Sequence, residues 1–217
     1  MLLPWYEYFQ ILALLVALYC WRGLKACSLL AFIPLLLIVN ITEFTGNNYK
    51  FFGWHSNYII YNLYMLCSTP FFFFLAGKML FLTKRESLVY TIVCILCMLL
   101  VLVNFLFIQG HTRFNTYSLG LIELLMIVFS CLCLVRLTII DHEEHNFMKE
   151  PYFWLNAMNL LFGLISLVLL GLQSYILYNH IVIANKSLYY AIMPAVNAIV
   201  YSGYSYAFIL CRTQKAR

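Results

Sequence analysis

The chain predicts an all-α fold: a seven-helix transmembrane bundle, one domain over residues 1–217, with its N-terminus outside and its C-terminus in the cytoplasm. Three observations point there. Apolar blocks long enough to cross a bilayer fill almost the whole sequence. Charged residues make up 10% of it against 65% hydrophobic, with a mean hydropathy of +0.89. Positive charge alternates between successive links. A water-soluble domain is about half apolar and about a quarter charged, so these residues do not suffice for a wetted surface. A spanning helix needs about 20 mostly apolar residues and satisfies its own backbone hydrogen bonds. The apolar runs are continuous rather than alternating, which excludes the strands of a membrane barrel.

In chain order the spans are expected near Trp5–Trp21, Leu24–Glu43, Tyr58–Phe81, Leu88–Ile108, Tyr117–Ile140, Tyr152–Tyr178 and Leu188–Cys211. Met1-Leu2-Leu3-Pro4 supplies no positive region ahead of the first, so a cleaved signal peptide is not expected. Leu24-Lys25-Ala26-Cys27 follows Arg22 and lacks the charged leader of a lipoprotein box. Orientation follows the positive-inside rule. Of the 13 Lys and Arg residues, only Lys50, Arg113 and Lys186 fall on one set of links. Arg22, Lys25, Lys78, Lys84, Arg85, Arg136, Lys149, Arg212, Lys215 and Arg217 fall on the other, which is therefore expected in the cytoplasm. The net charge of +5 follows from this bias and requires no nucleic-acid partner.

Polar residues inside a span normally face the bundle interior, a cavity or one another, so their phase locates the inside. The sixth span carries Asn156, Asn159, Gly163, Ser166, Leu170 and Gln173 on one helical face. The fifth carries Thr116, Gly120, Glu123, Ile127 and Ser130; the third carries Asn57, Tyr61, Asn62, Tyr64 and Ser68; the seventh carries Asn197, Tyr201, Tyr204 and Phe208. Two readings stand: helix–helix packing, at about 1 kcal/mol or less per bond, and a polar pocket lined by these four spans. Within such a pocket Glu123 is the key residue, because an unpaired carboxylate at this depth costs about 3 kcal/mol. No Lys or Arg lies at comparable depth, so Glu123 is protonated, hydrogen-bonded to Asn or Tyr, or bound to a cationic ligand. Glu43 closes the second span, one turn from Asn40, in either an interfacial structural role or ligand contact. Candidate ligand-binding residues are therefore Glu123, Tyr61, Asn62, Asn156, Asn159, Asn197, Tyr201, Tyr204 and Glu43. Ile59–Tyr64 and Ile199–Tyr204 also echo each other, with two tyrosines three apart in each.

No catalytic, metal or cofactor set is expected. Seven of the eight cysteines sit in or at the ends of apolar spans and Cys27 on the cytoplasmic side, as small apolar filler. Cys94-Ile95-Leu96-Cys97 lacks a nearby basic group to activate a thiol. Asp141-His142-Glu143-Glu144-His145 has histidines three apart, whereas zincin chemistry wants them four apart on a helix. It reads as a solvated link, with residues 141–150 a docking surface for a cytoplasmic or membrane signalling protein as the sharper alternative. Asn40-Ile41-Thr42 and Asn185-Lys186-Ser187 match the glycosylation sequon but lie in or against spans. Lys186 begins the seventh span, which argues against a retinal Schiff base.

Glu43-Phe44-Thr45-Gly46, Tyr61-Asn62-Leu63-Tyr64, Asn104, Pro151-Tyr152-Phe153-Trp154, Asn197 and Phe208-Ile209-Leu210-Cys211 together carry a resemblance over nearly the whole chain. The chain resembles small, largely uncharacterised seven-helix inner-membrane proteins of Bacteroidota. It departs from them at Ser68-Thr69-Pro70, where such proteins tend to carry an acid. The resemblance implies a bacterial inner-membrane location among membrane lipids and supplies no activity. The functional expectation is a receptor-like sensor or signalling accessory with an outward-facing polar pocket for a small-molecule ligand. The alternatives are a small transporter or channel for a polar or protonated solute, and a lipid- or quinone-modifying membrane enzyme.

Overall fold

The computed structural model describes residues 3–140, 147–179, 182–183 and 186–215. Its α-helices in chain order are α1 (Glu7–Tyr19), α2 (Trp21–Ala26), α3 (Phe32–Asn47), α4 (Tyr58–Met79), α5 (Lys84–Val103), α6 (Thr116–Ile140), α7 (Pro151–Gly171), α8 (Gln173–Tyr178) and α9 (Leu188–Lys215). A π turn over Asn104–Ile108 continues α5, and a 3-10 turn over Phe147–Lys149 precedes α7. Val182–Ile183 and Lys186–Ser187 form a two-residue antiparallel ladder ahead of α9. Among these helices α4, α5 with its π turn, α6 and α7 are long and apolar enough to cross a membrane, and α1 and α3 are shorter apolar helices.

Local chemistry sets several helix ends. Thr83 and Glu86 form a capping box at the start of α5, satisfying two backbone donors that the first turn leaves free. Pro151 occupies the first turn of α7, where its missing N–H has no helical partner to lose. The boundary between the first two apolar blocks differs from the sequence expectation. Trp21–Ala26 extends the first rod as α2, and the turn falls after it, through Ser28 at φ 56°. α2 packs closely on α9: a Cβ on Gly23 would lie 2.7 Å from the backbone nitrogen of Arg212. Arg22 and Lys25 thus sit on a short helix rather than in a link.

Six helices close a ring in the order α1, α3, α4, α6, α7, α9, with α9 packed back on α1; α5 lies outside it against α4 and α6. Antiparallel neighbours bring two sets of links to opposite ends. At one end the Tyr152 hydroxyl donates to the carbonyl of Cys27 (2.8 Å), and the Arg136 guanidinium donates to the Leu80 (2.7 Å) and Phe81 (3.1 Å) carbonyls and pairs with Glu86. At the other end Asn62 is a clamp. Its amide donates to the Arg113 carbonyl (2.8 Å) and its oxygen accepts from the Asn115 N–H (3.0 Å), tying the turn before α6 to α4.

Polarity is inverted relative to a water-soluble fold. Leu88, Val89, Ile92, Ile95, Leu96 and Leu99 of α5 and Leu124, Val128, Leu132 and Val135 of α6 are exposed, whereas Glu7, Gln10, Asn62, Glu123, Asn159 and Ser166 are buried. Apolar patches this continuous are foreign to a water-solvated monomer, and lipid is the solvent that accepts them. Inside the ring, the half nearest the Tyr152–Cys27 end is mainly apolar: Ala17, Leu36, Phe73, Ala76, Met79, Phe129, Cys133, Leu155, Ala207 and Phe208 form one buried cluster, with Asn156 buried against Met79. All eight cysteines are free.

A carboxylate and tyrosine seam

The other half of the ring interior is polar. Glu123 of α6 is 3% exposed. Its Oε1 accepts from the Ser166 hydroxyl of α7 at 3.1 Å, while its Oε2 is buried with no hydrogen-bond partner. Gly163, one turn from Ser166, makes room for the acid: a Cβ there would lie 3.4 Å from Oε2 and 2.9 Å from Ile127. On α9 the Tyr204 hydroxyl donates to Asn159 Oδ1 of α7. The Tyr201 and Tyr204 rings meet edge to face at 5.7 Å, and Phe32 of α3 packs on Tyr204 at 5.6 Å.

A second carboxylate group forms between α1 and α3. Glu43 Oε2 accepts from Tyr6 Oη (3.3 Å), Asn47 Nδ2 (3.4 Å) and Tyr61 Oη (3.5 Å). Asn47 Nδ2 also reaches Glu7 Oε1 at 2.6 Å and Tyr6 Oη at 3.0 Å. One turn deeper on α1, Gln10 is 1% exposed and its Oε1 has no partner. Asn40 of α3 donates to the backbone carbonyl of Gln10 at 3.4 Å. Tyr64 of α4 joins the two groups. It lies beside Ser68 and within electrostatic reach of both Glu43 and Glu123. Tyr201 is within reach of Tyr64, Tyr204, Glu43 and Tyr6, and Tyr204 within reach of Tyr64 and Glu123. The result is a seam of three carboxylates and five tyrosines crossing the ring from α1 to α7.

The sequence-derived candidates divide accordingly. Glu123, Asn159, Tyr201, Tyr204, Tyr61 and Glu43 come together in or beside the seam. Asn62 serves the clamp. Asn156 lies at the opposite end, donating to the Tyr152 carbonyl at 2.8 Å and facing Met79 Sδ at 3.5 Å. Asn197 is half-buried on α9, one turn from Tyr201. Both tyrosine pairs of the internal echo, Tyr61 with Tyr64 and Tyr201 with Tyr204, belong to the seam. The side chain of Gln173 and residues Asp141–His145 of the acidic link lie outside the described residues.

Sequence reading overlooked Tyr6, Glu7, Gln10 and Asn47. The signal was present on α1, where Glu7, Gln10, Ala13 and Ala17 step by three and four and are all buried. Asn104, cited only for the resemblance, holds the π turn: its amide donates to Gln109 Oε1 (2.9 Å) and Ser118 Oγ (2.8 Å). That knot is structural and lies apart from the carboxylates. Among the described residues, no three His, Cys, Asp or Glu side chains converge as a metal site. Between α4 and α5 an apolar groove of about 380 Å³ is lined by Leu66, Pro70, Phe73, Cys94, Ile95, Met98, Leu99 and Leu102; it faces away from the seam. Compared with protein-family models, curated proteins and solved structures, the chain matches none of them.

Proposed function

We propose that this chain is a receptor-like sensor, or an accessory to one, in a bacterial inner membrane, crossing it seven times with its seam toward the outside. The observation that carries the reading is the unequal interior of the ring. Three carboxylates and five tyrosines occupy one half, and Phe73, Phe129, Leu155, Ala207 and Phe208 fill the other. A polar site closed at mid-depth suits recognition. A solute path would need polar lining to continue through the apolar half, because an unsatisfied polar group there is costly. The bias of Lys and Arg toward the links at the apolar end supports the orientation.

Helix α9 supplies a route for readout. It carries Tyr201 and Tyr204 in the seam, and Gln214 near its far end donates to the Lys149 carbonyl (3.3 Å) and to Glu150 Oε1 (3.2 Å). The helix thus links the ligand-facing tyrosines to the segment proposed to dock a signalling protein.

The test is proton flux in proteoliposomes under an imposed membrane potential, followed with an internal pH dye. A sensor gives flux equal to protein-free vesicles. Flux that disappears in Glu123→Gln establishes the transporter reading in its place.

A further inference from the structure

We propose that the seam binds an organic ammonium ion, with Glu123 as the counter-charge and the tyrosine rings as its apolar walls; this rests on the recognition reading above. The first observation is an imbalance of charge. Glu7, Glu43 and Glu123 all point into the ring, and among the described residues Lys, Arg and His occur only in links and toward helix ends. The second is independent of the acid count. Glu123 is 3% exposed and its Oε2 is buried without a hydrogen-bond donor, and Gln10 Oε1 on the opposite wall is buried without one as well. A buried acceptor left empty is costly, and an N–H-bearing cation supplies the donor that Glu123 Oε2 lacks.

The lining selects among cations. A dehydrated metal ion wants several oxygens converging on one point, and no such group of acids forms among the described residues. An alkylammonium needs one carboxylate for its N–H groups and aromatic faces for its carbons. Glu123 has Tyr204 and Tyr64 within electrostatic reach, and Tyr201 and Phe32 pack against Tyr204. Glu7 and Glu43, already bridged by Asn47 and Tyr6, stand nearer the mouth of the ring and attract the same charge.

The experiment measures thermal unfolding of the purified full chain in detergent at constant ionic strength. The probes are phenethylammonium, its neutral isostere 2-phenylethanol, tetramethylammonium and sodium. Phenethylammonium is expected to raise the unfolding temperature by several degrees, with 2-phenylethanol and sodium giving none of the rise. Glu123→Gln is expected to fold and to lose the response. Tyr204→Phe, which keeps the ring, is expected to weaken it severalfold without abolishing it. Stabilisation by 2-phenylethanol equal to that by the amine would leave a recognition site standing and overturn the ammonium assignment. Stabilisation by sodium alone would assign an inorganic cation instead. No response to any probe, with Glu123→Gln unfolding like the parent, would overturn both the ammonium and the seam as a binding site.

Discussion

The two halves of the ring are built from the same six helices and obey opposite rules. Toward the Tyr152–Cys27 end the interior is mainly apolar, with Ala17, Cys211, Ala207 and Phe208 fully buried and α2 pressed onto α9 at Gly23. Toward the Asn62 clamp the interior holds three acids, and two of its buried acceptors, on Glu123 and Gln10, go unpaired. Lipid offers no hydrophobic drive for helix association, so packing and small residues hold such bundles together. The apolar half supplies that cohesion, and the polar half carries buried acceptors whose missing partners cost stability. The difference teaches that apolar packing and unpaired polar groups are segregated along the bundle axis rather than mixed at each layer.

The separation is broken most severely by moving an acid across it. Ala207→Glu places a carboxylate at a fully buried site among apolar neighbours, at a cost of at least about 3 kcal/mol. The expected outcome in detergent unfolding is a variant that is largely unfolded at temperatures where the parent is native. The seam tolerates change far better. Tyr204→Phe removes the hydrogen bond to Asn159 while leaving the ring packing on Phe32 and Phe208. Its expected cost is about 1 kcal/mol or less, read as a small downward shift in the same assay.

Much of this division was legible in the sequence. The phases of Asn159, Glu123, Tyr201 and Tyr204 located the ring interior, because polar side chains in a span avoid lipid whatever the neighbouring helix is. Sequence phase does not say which helices are neighbours. Asn62 and Asn156 share the polar faces that define the interior, yet each is consumed by a bond to backbone, one in the turn before α6 and one in its own helix. Glu7 and Gln10 were missed for the converse reason: they open a short apolar helix near a chain terminus, and their role appears only once α3 brings Glu43 and Asn47 alongside. The packing of α2 on α9 was likewise unreadable, since the two meet only in the folded chain, nearly two hundred residues apart.

The central claim is that the polar half is reachable from one end and the apolar half from neither. It is tested by single substitutions Ser166→Cys in the seam and Ala76→Cys and Ala207→Cys in the apolar half. A membrane-impermeant cationic methanethiosulfonate is applied to each side of oriented vesicles. Labelling is resolved by peptide mass spectrometry against the native cysteines, and unfolding temperatures verify that each variant folds. The account predicts labelling of Ser166→Cys from the end bearing residues 48–57, with Ala76→Cys and Ala207→Cys unlabelled from both sides. Labelling of Ala76→Cys or Ala207→Cys at a rate comparable to Ser166→Cys, or no labelling of Ser166→Cys from either side, would contradict it.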